Sequence, residues 1–290
     1  MGLGHTQRVP RSHPPTLIKL VLASVRELQL TGSRLLVAVS GGPDSMALLH
    51  VLARLRGRHG LSLFALGVDH GLRSAAASEL DLAEALASEL GVGFERVAVS
   101  VAPGGNLQAR ARDARYAVLD ARAAQLDAWL CTAHHADDRA ETVLLRLLRG
   151  AGPDGLAALP LRAGRRVRPM LRASRADVLR HVQRHELSVA TDPSNADPRF
   201  LRVRVRHELL PLLRELSPNI VQHLTALADQ LQDPTSAVEE SGSGPRLPAL
   251  NRVQISRLQQ ALARGERAEI ELRGGRTARV ELVETKPTRD

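Results

Sequence analysis

The chain has 290 residues, 43% of them apolar, enough for one full α/β domain and a smaller module. Three Phe, one Trp and one Tyr are too few for recognition built on aromatic stacking platforms, and the single Cys131 excludes a disulfide framework or a cysteine-cluster metal site. The formal charge of +9 points to a polyanionic partner, although all but two of the 40 basic residues are arginine, a usage that genome composition also produces.

The charge is localised. Residues 162–206 hold twelve arginines against Asp177, Glu186, Asp192 and Asp197, which favours a phosphate contact over an evenly solvated surface. No apolar run approaches membrane-spanning length, and the N-terminus lacks a signal-peptide core, so a soluble cytoplasmic protein is expected.

In chain order, residues 15–30 carry apolar positions at helical spacing, and Leu35 to Val39 reads as a buried strand. The strand breaks at Ser40-Gly41-Gly42-Pro43-Asp44-Ser45, and a helix pattern resumes through Met46, Leu49 and Leu52. Leu61 to Val68 is a second strand, 76–90 a helix stopped by Gly91, and Phe94 to Val101 a third strand. A long helix over 106–125 follows Gly104-Gly105-Asn106, and Ala128 to Thr132 is a fourth strand leading into a helix that ends at Leu148. This alternation predicts βαβ units and a parallel sheet, with the loops at 40–45, 69–73 and 133–138 converging on one crevice at the strand ends.

Arg165 to Met170 suits a further short strand, and Ser174 with Asp177 opens another helix as N-cap and first-turn carboxylate. Residues 191–195 form a turn; 207–216 and 218–232 read as helical. Residues 233–247 have linker composition, 255–264 suits a short helix, and 268–283 reads as a hairpin around Gly274-Gly275.

Two stretches carry chemistry. A strand, a glycine turn and a helix start aim backbone N–H groups and a helix dipole at one anion, and glycines admit a phosphate where a Cβ would clash. The loop is neither a Walker A sequence nor Gly-x-Gly-x-x-Gly. The plainer alternative is a tight turn capped by Asp44 or Ser45. The second stretch is His134 to Thr142. Asp137 and Asp138 start a helix, with Glu141 one turn beyond Asp137, and carboxylates facing a bound triphosphate would hold Mg²⁺ with a further ligand from Asp44. The alternative is an acidic first turn that only complements the helix dipole.

Other clusters are less specific. His134 and His135 lack a cysteine or a spaced histidine to complete a zinc set. His181 and His185 lie four apart on a helix, but flanking Arg180 and Arg184 favour a solvated face. Arg112 and Arg115 share one helix face, either a plain polar face or a phosphate-contacting row. In Arg202-Val203-Arg204-Val205-Arg206 an extended chain points all three guanidiniums one way, whereas a helix keeps Arg202 with Arg206 and turns Arg204 aside. Cys131, in an apolar run, reads as an inert buried thiol.

Ser40 to Ser45 resembles the PP-loop of the ATP pyrophosphatases. Together with Val68 to Arg73, Asn106 to Tyr116, His134 to Thr142, Asp192 to Asn195 and Arg206 to Pro211, it is similar to the tRNA(Ile)-lysidine synthetase family over residues 33–215. The resemblance implies a Rossmann-like parallel-sheet PP-loop ATPase domain over 1–215, followed by a small helical and α+β module over 216–290 that binds tRNA. It implies ATP- and Mg²⁺-dependent joining of free L-lysine to the wobble cytidine of an isoleucine tRNA with a CAU anticodon. Cytidine O2 would attack the α-phosphate, and the lysine amine would then expel AMP. By the same resemblance Ser40, Gly41, Gly42, Pro43, Asp44, Ser45, Arg112, Arg115 and His134 contact ATP, and Asp44 and Asp137 bind the metal. Asp44, Asp137, Glu141 and Arg206 carry catalysis, with Glu141 near the lysine amine and Arg206 near its carboxylate. The chain departs from the family at Val203, where Asn is usual, and in a short C-terminal portion. Alternatives are another PP-loop tRNA-modifying enzyme or a non-catalytic RNA-binding relative.

Overall fold

The computed structural model describes residues 15–69, 71, 76–100, 104–105, 107–190, 199–232, 268–272 and 276–280. Its strands β1 (Arg34–Val39), β2 (Ser62–Asp69), β3 (Gly93–Ala98), β4 (Trp129–Cys131), β5 (Arg162–Ala163) and β6 (Arg166–Val167) form one sheet in the order β3-β2-β1-β4-β6-β5. All neighbours are parallel except β5 against β6. The intervening helices are α1 (Leu17–Glu27), α2 (Pro43–His59), α3 (Ala76–Glu89), α4 (Leu107–Gln125), α5 (Ala136–Leu148), α6 (Pro153–Leu156) and α7 (Arg175–Arg184).

The strand β1 explains why the sheet reads as an unbroken apolar run. Leu35, Val37 and Val39 pack with α1, α2, α3 and α7 on one face, while Leu36 and Ala38 meet Leu119 and Ala123 of α4 on the other. Both faces are covered, so the alternation of polar and apolar residues disappears. Because β1 lies between β2 and β4, chain order reverses beside it. That is where the carboxyl ends of strands open a crevice in parallel sheets.

Some boundaries differ from the sequence reading. The strand expected over 94–101 ends at Ala98, and that over 165–170 shrinks to Arg166–Val167, paired as a hairpin with β5. The chain is helical from Leu201, through α8 (Leu201–Arg204), a π-helical turn (Val205–Leu209) and α9 (Leu210–Leu216). Leu210 N–H reaches back five residues to Val205 O, directly before Pro211, which has no N–H to continue an α ladder. The turn at 191–195 and the helix at 255–264 lie outside the described residues.

The compact unit does not stop at 215. It runs to Gln232, because α10 (Ile220–Gln230) buries Val221 against Ala136, Ala140 and Leu144 of α5, and Ala228 against Val143. The expected boundary therefore moves to 232/233. Within the second unit, β7 (Ala268–Leu272) and β8 (Arg276–Val280) pair antiparallel with Ala268 opposite Val280, the hairpin read from the sequence.

Candidate active site

The phosphate loop leaves β1 at Ser40. Gly41 has φ +76°, and a Cβ there would lie 2.2 Å from Glu79 O in α3, so only glycine fits. Ala190 N–H donates to Gly41 O at 2.9 Å, pinning the turn from the other side. The Ser45 hydroxyl accepts from Ser40 N–H at 3.1 Å and donates to Gly42 O at 3.0 Å, closing the loop on itself. Neither Asp44 nor Ser45 caps the helix. Gly42 is the N-cap, Pro43 follows, and no side chain bonds the first-turn N–H groups of α2. A helix start left this way faces anions with its dipole.

Beside it, α5 begins with a reciprocal cap. His135 Nδ1 accepts from Asp138 N–H at 3.3 Å, and Asp138 Oδ2 accepts from His135 N–H at 3.1 Å. The cap assigns the imidazole proton to Nε2, which then faces Asp138 Oδ2 at 3.5 Å and Asp44 Oδ1 at 3.7 Å. Asp44 Oδ1 and His135 Nε2 are both buried without a hydrogen-bond partner. Burial raises the Asp44 pKa, opposed by His135 and assisted by Asp138. Burial also pushes Asp138 upward, but His135, His134, Arg202 and the backbone bond outweigh it, and its pKa is lowered. Asp44 and Asp138 thus form a carboxylate pair about one imidazole, one of them needing a positive partner.

Asp137, expected with Asp44 as a metal ligand, lies near the other ring nitrogen of His135: Asp44 Oδ1 is 3.7 Å from Nε2 and Asp137 Oδ2 3.9 Å from Nδ1. Asp137 Oδ2 accepts Arg175 N–H at 2.8 Å and Oδ1 accepts from Arg214, so both oxygens are engaged in joining α5 to α7 and α9. The residue that pairs with Glu141 is Asp138, at i+3 spacing rather than i+4. Arg202 bonds Glu141 at 2.9 Å and Asp138 at 3.1 Å; Arg206 bonds Glu141 at 2.6 and 2.9 Å and Asp138 at 3.4 Å. Burial lowers the Arg206 pKa, but the Glu141 bond and charge more than restore it. Arg204 turns aside to Glu208, the helical alternative of the sequence reading, and Val203 is half-buried.

The remaining expected residues flank this cluster. His134 bonds Thr132 Oγ1 at 3.0 Å. Burial first, and Arg168, Arg112 and Arg202 next, push its pKa down to about 4 against the pull of Asp138, so the ring is neutral at pH 7. Arg112 is exposed and lies over the Tyr116 ring at 5.1 Å; burial lowers the pKa of Arg115. The cap role of His135 was legible in the His-x-x-Asp spacing, whereas nothing local marked Arg168 or Arg139 as buried cations.

Two expectations change. Most of the arginine-rich stretch is not free for a partner: Arg165, Arg166, Arg172, Arg180, Arg202, Arg204 and Arg206 all pair with carboxylates of this chain. His181 is buried at 6% exposure rather than solvated. Cys131 is fully buried in β4, and burial pushes its thiol pKa up, as expected for an inert thiol.

A glycine loop between parallel strand and helix, with acidic residues across the crevice, defines a PP-loop protein, and residues 17–213 match the PP-loop domain family. The Methanococcus maripaludis U34-tRNA thiolase NcsA with its [4Fe-4S] cluster shares the fold, with TM-score 0.63 and 18% identity over 74% of this chain and 78% of that one. A tRNA(Ile)-lysidine synthase of Thermobifida fusca is 42% identical over 79% of this chain and 72% of its own length. One from Pseudomonas aeruginosa is 43% identical over 70% of this chain, which spans about half (47%) of that relative. The chain belongs to the tRNA(Ile)-lysidine synthase family.

Proposed function

We propose that the chain joins free L-lysine to C2 of the wobble cytidine in a CAU-anticodon isoleucine tRNA, using ATP and releasing pyrophosphate and AMP. One observation carries this reading: the phosphate loop and the Asp138–Glu141–Arg202–Arg206 cluster meet at Asp44 and His135. A nucleotide site thus adjoins a cluster holding both signs of charge. That is the complement of a zwitterionic amino acid.

Cytidine O2 attacks the α-phosphorus, the bond to the β-phosphate oxygen breaks, and pyrophosphate leaves. The α2 N-terminus and loop N–H groups hold the phosphates as charge develops on the leaving oxygen. The lysine amine then attacks C2, its proton is lost, and the C2–O2 bond breaks to release AMP. Glu141 and Asp138 suit the amine and its proton, while Arg206 suits the lysine carboxylate. Arg206 and Glu141 bond one another, so lysine would exchange its own charges for theirs.

Mg²⁺ fits Asp44, whose buried Oδ1 has no hydrogen-bond donor, with Asp138 beside it; bound there it would neutralise phosphate charge. Neutral His134, with Arg112 and Arg168 close by, suits a polyanion at the same edge. Buried Cys131 cannot serve sulfur transfer, which supports ligation over thiolation. Residues 233–290 would contribute tRNA contacts. Among the described residues no helix is long and apolar enough to cross a membrane, compatible with cytoplasmic tRNA modification.

The test is incorporation of labelled lysine into a CAU-anticodon isoleucine tRNA transcript with ATP and Mg²⁺. Asp138→Asn is expected to abolish turnover in a folded protein, while Asp137→Asn lowers stability more than chemistry. ATP binding without lysine incorporation refutes the assignment.

A further inference from the structure

His50 lies in α2, His181 lies in α7, which packs against it, and His185 follows one turn later as the C-cap of α7. His50 Nδ1 and His181 Nε2 are 2.9 Å apart, and the three ring centroids are separated by 4.4, 4.7 and 5.0 Å. One nitrogen from each ring lies within 4.8 Å of the other two. Among the described residues no other three His, Cys, Asp or Glu side chains bring ligand atoms so close, the carboxylates of the active-site crevice included. We propose that His50, His181 and His185 form a binding site for one imidazole-preferring divalent transition-metal ion, zinc in the first place, separate from the catalytic crevice.

A bonded pair of buried histidines needs only two rings. The third, His185, turns its nitrogen to the same point although half-exposed, which a packing role does not require. Two histidines at i and i+4 completed by a third from another element are a ligand set for zinc, with nitrogens about 3.3 Å apart around a tetrahedral ion at ~2.05 Å. The ion would replace the His50–His181 hydrogen bond, each ring moving its proton to the far nitrogen.

Burial foremost pushes His50 and His181 down to about 4, so their lone pairs are available at pH 7 without deprotonation. Arg54 and Arg184 lie near the triad and oppose a cation, so the expected affinity is below that of an uncharged three-imidazole site. A cleft of about 560 Å³ lined by Thr16, Asp177, Arg180 and Arg184 opens beside His181. Three imidazoles and no carboxylate refuse Mg²⁺, so the ion does not compete with the metal of ATP.

A bound ion would clamp α2 to α7. The first turn of α2 is the phosphate loop, and Ala190, beyond α7, bonds Gly41. The clamp therefore stiffens the loop from both ends.

The experiment uses the full chain without a histidine tag, stripped with chelator and titrated with zinc against a chromophoric competitor, with saturating Mg²⁺ and ATP present. One zinc per chain is expected, and a hundredfold excess over Kd should raise Tm by about 5–10 °C. Cobalt should give the visible absorption of a tetrahedral nitrogen site. His185→Gln, at the half-exposed ring, and His181→Gln should each weaken binding at least about tenfold, while His223→Gln, at an exposed position of α10, leaves it unchanged. No stoichiometric zinc binding, or binding that survives both His185→Gln and His181→Gln, overturns the proposal.

Discussion

Replacing Gly41 with alanine tests the architecture of the loop most directly. The residue has φ +76°, and an added Cβ would sit 2.2 Å from Glu79 O, well inside the 3.0 Å that real Cβ atoms respect. The left-handed backbone costs about 1–2 kcal/mol for an L-residue, and moving the loop or the first turn of α3 aside adds about 1–3 kcal/mol. For a unit of this size the sum of roughly 2–5 kcal/mol lowers Tm by about 4–20 °C. Gly42 is the internal control. Its φ is −73°, and an added Cβ would meet only Ser40 Oγ at 3.7 Å. Gly42→Ala should therefore stay within about 1 kcal/mol of the parent in stability, yet lose at least about tenfold in ATP affinity if phosphate approaches its backbone. Thermal melts and ATP titrations on both variants separate the two roles. A Gly41→Ala protein that melts with the parent would refute the steric argument, and full ATP affinity in Gly42→Ala would refute the phosphate approach.

Glu141→Gln removes the charge that Arg202 and Arg206 share, from a side chain only 1% exposed. Because both arginines are partly solvated, the expected stability loss is about 1–3 kcal/mol; KM for lysine should rise at least about tenfold while adenylation of tRNA without lysine persists, and equal loss of both half-reactions would sink the lysine assignment. Asp229→Ala strands the buried Arg139 guanidinium, which bonds Asp229 at 2.7 Å. The expected cost of about 1–3 kcal/mol, a Tm drop of roughly 2–12 °C, is checked by calorimetry, and an unchanged Tm would mean that the pair does not hold α10 to α5. For the metal-free chain, His50 and His181 titrate near 6.5 unfolded and about 4 folded. The unfolded state binds more protons between these values, so stability is full above pH 6.5 and falls as pH drops toward 4, by on the order of 3 kcal/mol for each ring. Urea melts across pH 4–7 measure it; a flat profile, or a fall that His50→Asn leaves unchanged, excludes the pair as its source.

The elements that the sequence announced are those whose local pattern and tertiary environment agree. The run Leu35 to Val39 is apolar throughout because both faces of β1 are covered, and Gly41 is glycine because its backbone and its neighbour leave no alternative. Ser174 and Asp177 announced their cap through spacing alone, and the structure closes it as a reciprocal pair. Motif order was likewise enough to place a phosphate loop and an acidic helix start in one crevice.

What the sequence could not settle is which of two adjacent aspartates faces that crevice. Neighbouring helix residues point about 100° apart, so the choice between Asp137 and Asp138 depends on the rotation of α5 about its axis. That rotation is decided by packing of Ala136, Ala140 and Leu144 against α10 and α9, together with the bonds of Asp137 to Arg175 and Arg214. The histidine triad is hidden for the same reason. His50 and His181 are 131 positions apart, and only the docking of α7 on α2 brings them together. The charge of the arginine-rich stretch also needed the fold, because its partners Asp120, Asp138, Glu141 and Glu27 come from distant elements. Sequence therefore determined the loop, the strands and the family of chemistry, which follow from local pattern and backbone sterics. The tertiary structure decided the facing carboxylate, the third histidine and the fate of the arginines, because each depends on how one helix is turned against another.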